Sequence, residues 1–146
     1  MGSTFSSLHY HVVFSTKDRM PLISDWASDL HAYMGGSIRG MGGTARTVGG
    51  VEDHVHLLLS LKPSHCLSDV VRDLKKQATI WTKENHSANF SWQDGYAAFT
   101  VGPKGIENVR GYIAGQAEHH KKISFIDELR KLLDEAGVPY EERFLV

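Results

Sequence analysis

The segment GGVEDHVHLLLSL, residues 49–61, constrains the fold most, because it places two histidines at the start of an apolar run. The run predicts a buried β-strand, and Glu52-Asp53 predicts a hairpin turn in front of it. In an extended strand, His54 and His56 lie on one face and Val55 lies on the other. A strand would hold two imidazoles at a fixed separation, so the pair is a candidate metal site. The alternative is two structural histidines that are hydrogen-bonded to neighbouring backbone.

The rest of the sequence predicts a single α+β domain that spans residues 1–146. β-branched and aromatic residues predict further strands over 8–16, 44–51 and 96–101, and apolar residues at helical spacing predict helices over 24–40, 67–85, 106–122 and 124–137. Ser68 and Ser124 are predicted helix caps. Strands and helices do not alternate strictly, so we expect a central, mainly antiparallel sheet with helices largely on one face.

The overall charge does not indicate a nucleic-acid binder, because 16 basic and 17 acidic residues give a net charge of −1. Binding to a polyanion would therefore depend on a local patch of lysine and arginine. The single cysteine, Cys66, excludes an internal disulfide framework and fits a reducing cytoplasm. No apolar run approaches the roughly 20 residues of a membrane span. We therefore expect a cytoplasmic protein without a membrane partner.

A metal site on the histidine strand needs a further ligand, and the predicted helix at 106–122 supplies a candidate. Tyr112 and Gln116 are four residues apart, so both side chains project from one face of that helix. Singly, such a tyrosine is usually a core residue and such a glutamine is usually a solvated surface residue. Together with His54 and His56, however, they provide metal ligands and a nucleophile.

Several segments in order carry a resemblance to a known family. They are HVVFSTKDR near the start, DHVHLL at 53–58, WQDGYAAFTVG, YIAGQAEHHKK at 112–122 and SFIDELRKLLDEAGVPYEERFL. The set resembles the HUH single-tyrosine transposases of the insertion-sequence 200/605 family, in which U is a bulky apolar residue. The three-residue HUH motif is weak by itself, whereas the ordered set covers nearly the whole chain. The resemblance implies a sheet of the ferredoxin or RNA-recognition-motif type.

The resemblance implies a metal-dependent transposase that cleaves and rejoins single-stranded DNA near hairpin ends. It makes His54, His56 and Gln116 the metal ligands, and Tyr112 the nucleophile that forms a 5′-phosphotyrosine intermediate and releases a 3′-hydroxyl. The phosphotyrosine link retains the energy of the cleaved phosphodiester bond, so rejoining needs no ATP. We expect Mg²⁺ or Mn²⁺ as the cofactor, with Mn²⁺ substituting well because it accepts imidazole better than Mg²⁺ does.

Residues around this set are candidates for supporting roles. Asp53 is a candidate acceptor for an imidazole N–H, with a solvated turn as the alternative. His120 shares the helix face of Gln116 and is a candidate for contact with the metal or the phosphate. Gly49-Gly50 predicts a bulge or a close approach of DNA backbone. Candidate DNA-binding cations, of which Arg72 and Lys76 rank first, are Lys17, Arg19, Arg72, Lys75, Lys76, Lys121 and Lys122, and an ordinary solvated position is the alternative for each.

The resemblance also implies a homodimer associated with the nucleoid, often with the tyrosine helix placed against the partner's histidines. Gly111 and Gly115 fit a helix that swings or swaps, and the sequence is compatible with a site formed within one subunit or between two. One alternative function is a non-catalytic or domesticated single-stranded hairpin-binding protein, although the strands lack the paired surface aromatics of an RNA-recognition motif. A second alternative is a small zinc hydrolase in which water is the nucleophile and Tyr112 has no role.

Overall fold

The computed structural model describes residues 2–145, and a four-stranded antiparallel sheet carries the candidate site. The sheet has the order β2-β3-β1-β4, and the first six elements follow the βαββαβ connectivity of ferredoxin-like domains. The elements are β1 His9–Ser15, α1 Ala27–Gly40, β2 Thr44–Val51, β3 His54–Ser60, α2 Leu67–Asn85, β4 Ala97–Val101, α3 Ile106–Ala114, α4 Gln116–His119 and α5 Phe125–Ala136. The predicted α+β class with an antiparallel sheet is confirmed.

Alternation along the central strands gives the sheet one apolar face and one polar face. Val12 of β1 and Val55 and Leu57 of β3 are fully buried in the core, which α1 and α2 cover. The two longest helices therefore share one face. His54 and His56 point to the opposite face, which α3, α4 and α5 cover. No helix within residues 2–145 is both long and apolar enough to cross a bilayer.

The predicted hairpin joins β2 to β3 and sets the position of both histidines. Glu52 and Asp53 form the turn, and His56 pairs with Gly49 across the two strands. The irregularity in this pairing lies between Ala45 and Thr47, so the bulge predicted at Gly49-Gly50 is wrong. Instead, Gly49 lets α3 approach, because a Cβ at this position would lie 2.8 Å from the carbonyl oxygen of Ile113.

The ends of the helices differ from the sequence prediction in two places. The helix predicted over 106–122 is interrupted at Gly115, which separates α3 from α4. The predicted cap at Ser68 is wrong, because Cys66 precedes α2 and Ser68 lies inside its first turn. The cap at Ser124 is confirmed, since its hydroxyl accepts a hydrogen bond from the backbone N–H of Asp127 at 3.2 Å.

Candidate active site

The structure brings His54, His56, Tyr112 and Gln116 together inside one chain, around the carboxylate of Glu128 on α5. Nε2 of His56 lies 3.0 Å from Oε1 of Glu128, and the Tyr112 hydroxyl donates a hydrogen bond to Oε2. The Gln116 amide nitrogen donates to the same Oε2 at 2.9 Å, and its oxygen lies 3.0 Å from Nε2 of His54. Tyr112 and Gln116 therefore share one face, as their spacing predicts, despite the interruption between them.

These polar groups are withdrawn from solvent. Both histidines are fully buried, and Gln116 and Glu128 are each 1% exposed. The ring of Phe125 at the start of α5 stacks on His54 with centroids 4.4 Å apart. Buried polar groups are costly unless they are hydrogen-bonded, so the network around Glu128 is what allows this cluster to be folded into the protein.

The imidazoles of His54 and His56 are each held by a contact at Nδ1, while Nε2 faces the Glu128 cluster. Nδ1 of His54 lies 2.7 Å from the carboxylate of Asp53, the turn residue in front of β3. Nδ1 of His56 lies 2.8 Å from Nε2 of His11, which lies diagonally across from it on β1. Outer partners of this kind fix the ring orientation and leave the other nitrogen free to bind.

His120 also reaches the site, as its position on the helix face of Gln116 suggests. Its Nε2 lies 3.0 Å from Oε1 of Glu128, and its ring centroid lies 4.5 Å from that of His54. Donor atoms of four residues in this cluster, His54, His56, His120 and Glu128, lie within 4.8 Å of one another. This His/Glu group can hold a metal ion.

Burial and hydrogen bonding set the charges in the site. Burial favours protonated Glu128, but hydrogen bonds from His54 and His56 outweigh it and hold the pKa of the carboxyl well below its usual range. Burial would lower the pKa of His54, but bonds to Asp53, Glu128 and Gln116 raise that pKa to about 9. Burial lowers the pKa of His56. Burial and the nearby Glu128 carboxylate raise the pKa of Tyr112, so its hydroxyl is protonated at neutral pH.

Two residues of the site, Glu128 and His11, were missed by reasoning from the sequence. Glu128 occupies a position on α5 between the buried residues Phe125 and Leu133, so a carboxylate within an apolar helix face was the available signal. His11 belongs to a second His-x-His pair, with His9, at the start of β1.

The predicted cations on α2 lie away from the histidines, because α2 covers the apolar face of the sheet. Arg72 is exposed and pairs with Asp69 at 3.1 Å and Asp73 at 3.2 Å, while Lys76 is exposed beside it. Lys75 is half-buried, and its ammonium donates to the carbonyl oxygens of Gln93 and Gly95 at 2.7 and 2.9 Å. Lys75 therefore connects α2 to the loop before β4.

The remaining predicted cations follow β1 or α4, two elements that contribute side chains to the site. Lys121 and Lys122 are exposed just after α4, where Lys121 pairs with Glu118 at 2.9 Å. Lys17 is exposed after β1, and the Arg19 guanidinium lies 3.4 Å from the carbonyl oxygen of Leu145. Of the predicted set, Lys121 and Lys122 are nearest in the chain to His120.

Comparison with solved structures finds the same fold in other proteins. Two solved structures share the fold. One is a candidate transposase from Deinococcus radiodurans R1, with a TM-score of 0.60 and 24% identity; the alignment covers 80% of this chain and 95% of the Deinococcus chain. A REP-associated tyrosine transposase bound to a REP hairpin has a TM-score of 0.61 and 16% identity, covering 84% of this chain and 76% of its own. No curated protein matches the sequence.

The sequence itself matches a family model over residues 4–116, a range that holds the histidine pair, Tyr112 and Gln116. That family model is the one for IS200-like transposases. It covers more than half of the chain. The chain therefore belongs to the IS200-like transposase family.

Proposed function

We propose that this protein is a metal-dependent transposase that cleaves and rejoins single-stranded DNA near hairpin ends, with Tyr112 as the nucleophile. The observation that carries the proposal is the convergence of the Tyr112 hydroxyl, Gln116 and the histidine pair on one carboxylate. A structural neighbour that is bound to a REP hairpin supports a DNA hairpin as the partner.

The donor atoms of the site fit a divalent cation, for which we propose His54, His56 and Gln116 as ligands and Mg²⁺ or Mn²⁺ as the ion. Their nitrogen and oxygen atoms face one another in a buried cluster, and Asp53 fixes the orientation of His54. When bound, such a cation would polarise a non-bridging phosphate oxygen and offset the charge that develops during in-line displacement.

In the proposed step, the phenol oxygen of Tyr112 forms a bond to phosphorus while the bond from phosphorus to the 3′-oxygen breaks. The products are a 5′-phosphotyrosine and a strand that ends in a 3′-hydroxyl. The hydroxyl of Tyr112 donates a hydrogen bond to Oε2 of Glu128, which orients it. In the step, the hydroxyl proton is lost to solvent and the leaving 3′-oxygen takes up one proton from solvent, so the step balances. Gln116 donates to the same Oε2 and holds the carboxylate in place. Rejoining is the reverse attack by a 3′-hydroxyl.

The test is covalent capture of a single-stranded hairpin DNA in the presence of Mn²⁺, read on a denaturing gel. We expect Tyr112→Phe to abolish the adduct and to leave hairpin binding within about twofold, because only the nucleophilic oxygen is lost. Tyr96→Phe is the matched control, since Tyr96 is 41% exposed in the approach to β4 and should retain the adduct. An adduct that persists in Tyr112→Phe, or hairpin binding without any adduct in the unaltered protein, would contradict the proposal.

We also propose that each chain of the expected homodimer uses its own tyrosine, because Tyr112 lies beside the histidines of the same chain. The ring centroids of His56 and Tyr112 are 5.7 Å apart. Mixing a Tyr112→Phe protein with a His56→Ala protein should therefore give no adduct. Restored adduct in the mixture would show that the site is shared between subunits.

A further inference from the structure

We propose that His120 and Glu128 are metal ligands in addition to His54, His56 and Gln116, so that the metal centre contains three imidazole nitrogens and the carboxylate of Glu128. This inference deepens the proposed function, since it concerns the composition of the same metal site. The inference rests on the positions of four donor atoms and on the residues that contact the opposite nitrogen of each imidazole.

The spacing of the donor atoms is that of ligands around one ion. The Nε2 atoms of His54, His56 and His120 lie 3.4, 3.0 and 3.0 Å from a single oxygen, Oε1 of Glu128. Ligands at about 2.1 Å from a metal and roughly 90–109° apart are separated by about 3.0–3.4 Å. The three distances from Oε1 fall in this range, and the donor atoms of all four residues lie within 4.8 Å of one another, so the four side chains can reach one ion.

All three imidazoles are held through the opposite nitrogen, so that each Nε2 is the atom presented to the cluster. The partners of the Nδ1 atoms are Asp53 at 2.7 Å from His54, His11 at 2.8 Å from His56 and the carbonyl oxygen of Ile123 at 2.8 Å from His120. Metal-ligating histidines almost always have such a partner on the second nitrogen. An incidental polar contact would not require the same arrangement three times.

The donor set also selects the class of ion. Mg²⁺ prefers oxygen ligands and gives up its water reluctantly, whereas first-row transition ions accept imidazole readily. A site with three imidazoles and one carboxylate should therefore bind Mn²⁺ in preference to Mg²⁺. The amide nitrogen of Gln116 donates to Oε2 of Glu128 at 2.9 Å, so Gln116 also orients the carboxylate.

The experiment is a titration of the metal-stripped, full-length protein with Mn²⁺ in the absence of DNA, in which free Mn²⁺ is measured by electron paramagnetic resonance. Loss of a residue that only orients a metal ligand costs about 10–100-fold in metal affinity, so loss of a ligand itself should cost at least tenfold. We expect this loss in Glu128→Gln and in His120→Gln. Glu135→Gln is the matched control, because Glu135 is exposed on the same helix, and its Mn²⁺ affinity should be unchanged.

A second measurement does not depend on how the variants fold. In the unaltered protein labelled with ¹⁵N-histidine, electron spin-echo envelope modulation of bound Mn²⁺ should detect three imidazole nitrogens. Two imidazoles, or undiminished Mn²⁺ affinity in folded Glu128→Gln and His120→Gln, would overturn the inference and leave the smaller ligand set. Covalent DNA capture is measured separately, so a failure of the proposed reaction is distinguishable from a failure of this ligand assignment.

Discussion

Replacing Gly49 with alanine tests whether the close contact between β2 and α3 positions the nucleophile. A Cβ at Gly49 would lie 2.8 Å from both the carbonyl oxygen and Cγ2 of Ile113, the residue after Tyr112. Carbon atoms in contact normally lie about 3.5–4.0 Å apart, so the backbone of Ile113 must move by roughly half an ångström or more. A side chain could rotate away, but a helix carbonyl cannot, and α3 must therefore shift.

The shift has two measurable consequences. Overpacking of a well-packed contact costs about 1–3 kcal/mol, so we expect Gly49→Ala to lower the free energy of unfolding by that amount. A misplacement of about 1 Å can cost about 100-fold in rate. The rate of adduct formation by Tyr112 should therefore fall by roughly 10–100-fold, while hairpin binding changes little.

The assays are urea unfolding and single-turnover adduct formation, with Gly111→Ala as the matched control. Gly111 lies on the same helix, but, apart from its chain neighbours and the backbone of α3, no described atom lies within 4 Å of the position that its Cβ would take. Alanine there should stabilise the helix by about 0.5–1 kcal/mol and leave the rate unchanged. Unaltered stability and rate in Gly49→Ala would refute the reasoning. A rate loss confined to Gly111→Ala would instead indicate that α3 must swing.

Three further predictions follow from single contacts. Asp53→Asn should weaken Mn²⁺ binding by about 10–100-fold in a calorimetric titration, because the orienting partner of His54 becomes a weaker acceptor. Lys75→Met should lower the free energy of unfolding in urea by about 1.5–3 kcal/mol, since charged hydrogen bonds to two carbonyl oxygens are lost; unchanged stability would refute this. Burial lowers the pKa of His31, as it does for His11 and His56, so the unfolded chain takes up protons first and stability falls as the pH drops below about 6.5. His31→Gln should make that fall less steep in pH-dependent unfolding, and an unchanged slope would contradict this.

Local periodicity accounts for the parts of the site that could be predicted from the sequence. Alternation along one strand places His54 and His56 on the same face, and a four-residue spacing places Tyr112 and Gln116 on the same face of a helix. Neither relation depends on the rest of the fold. The cap at Ser124 is local in the same sense, because the hydroxyl bonds to a backbone N–H three residues later.

The parts that could not be predicted depend on which elements meet. Glu128 is 72 residues from His56, and nothing in the spacing on α5 shows that its carboxylate faces the histidine strand. Gly49 is similar, because the reason for a glycine is a carbonyl on α3 and not any feature of β2. Both depend on helices docking over the polar face of the sheet, which is information that periodicity within one element does not contain.

The connections between elements favour a site that is formed within one chain. Four residues, 102–105, join β4 to α3, and they can span at most about 14 Å. Helix α3 must therefore begin close to its own sheet, and the contact between Gly49 and Ile113 holds it there. Exchange of the tyrosine helix between subunits would re-form that contact with the partner chain, but the four-residue connection would have to reach the partner's sheet. The short connection is thus the physical reason to expect Tyr112 to act with the histidines of its own chain.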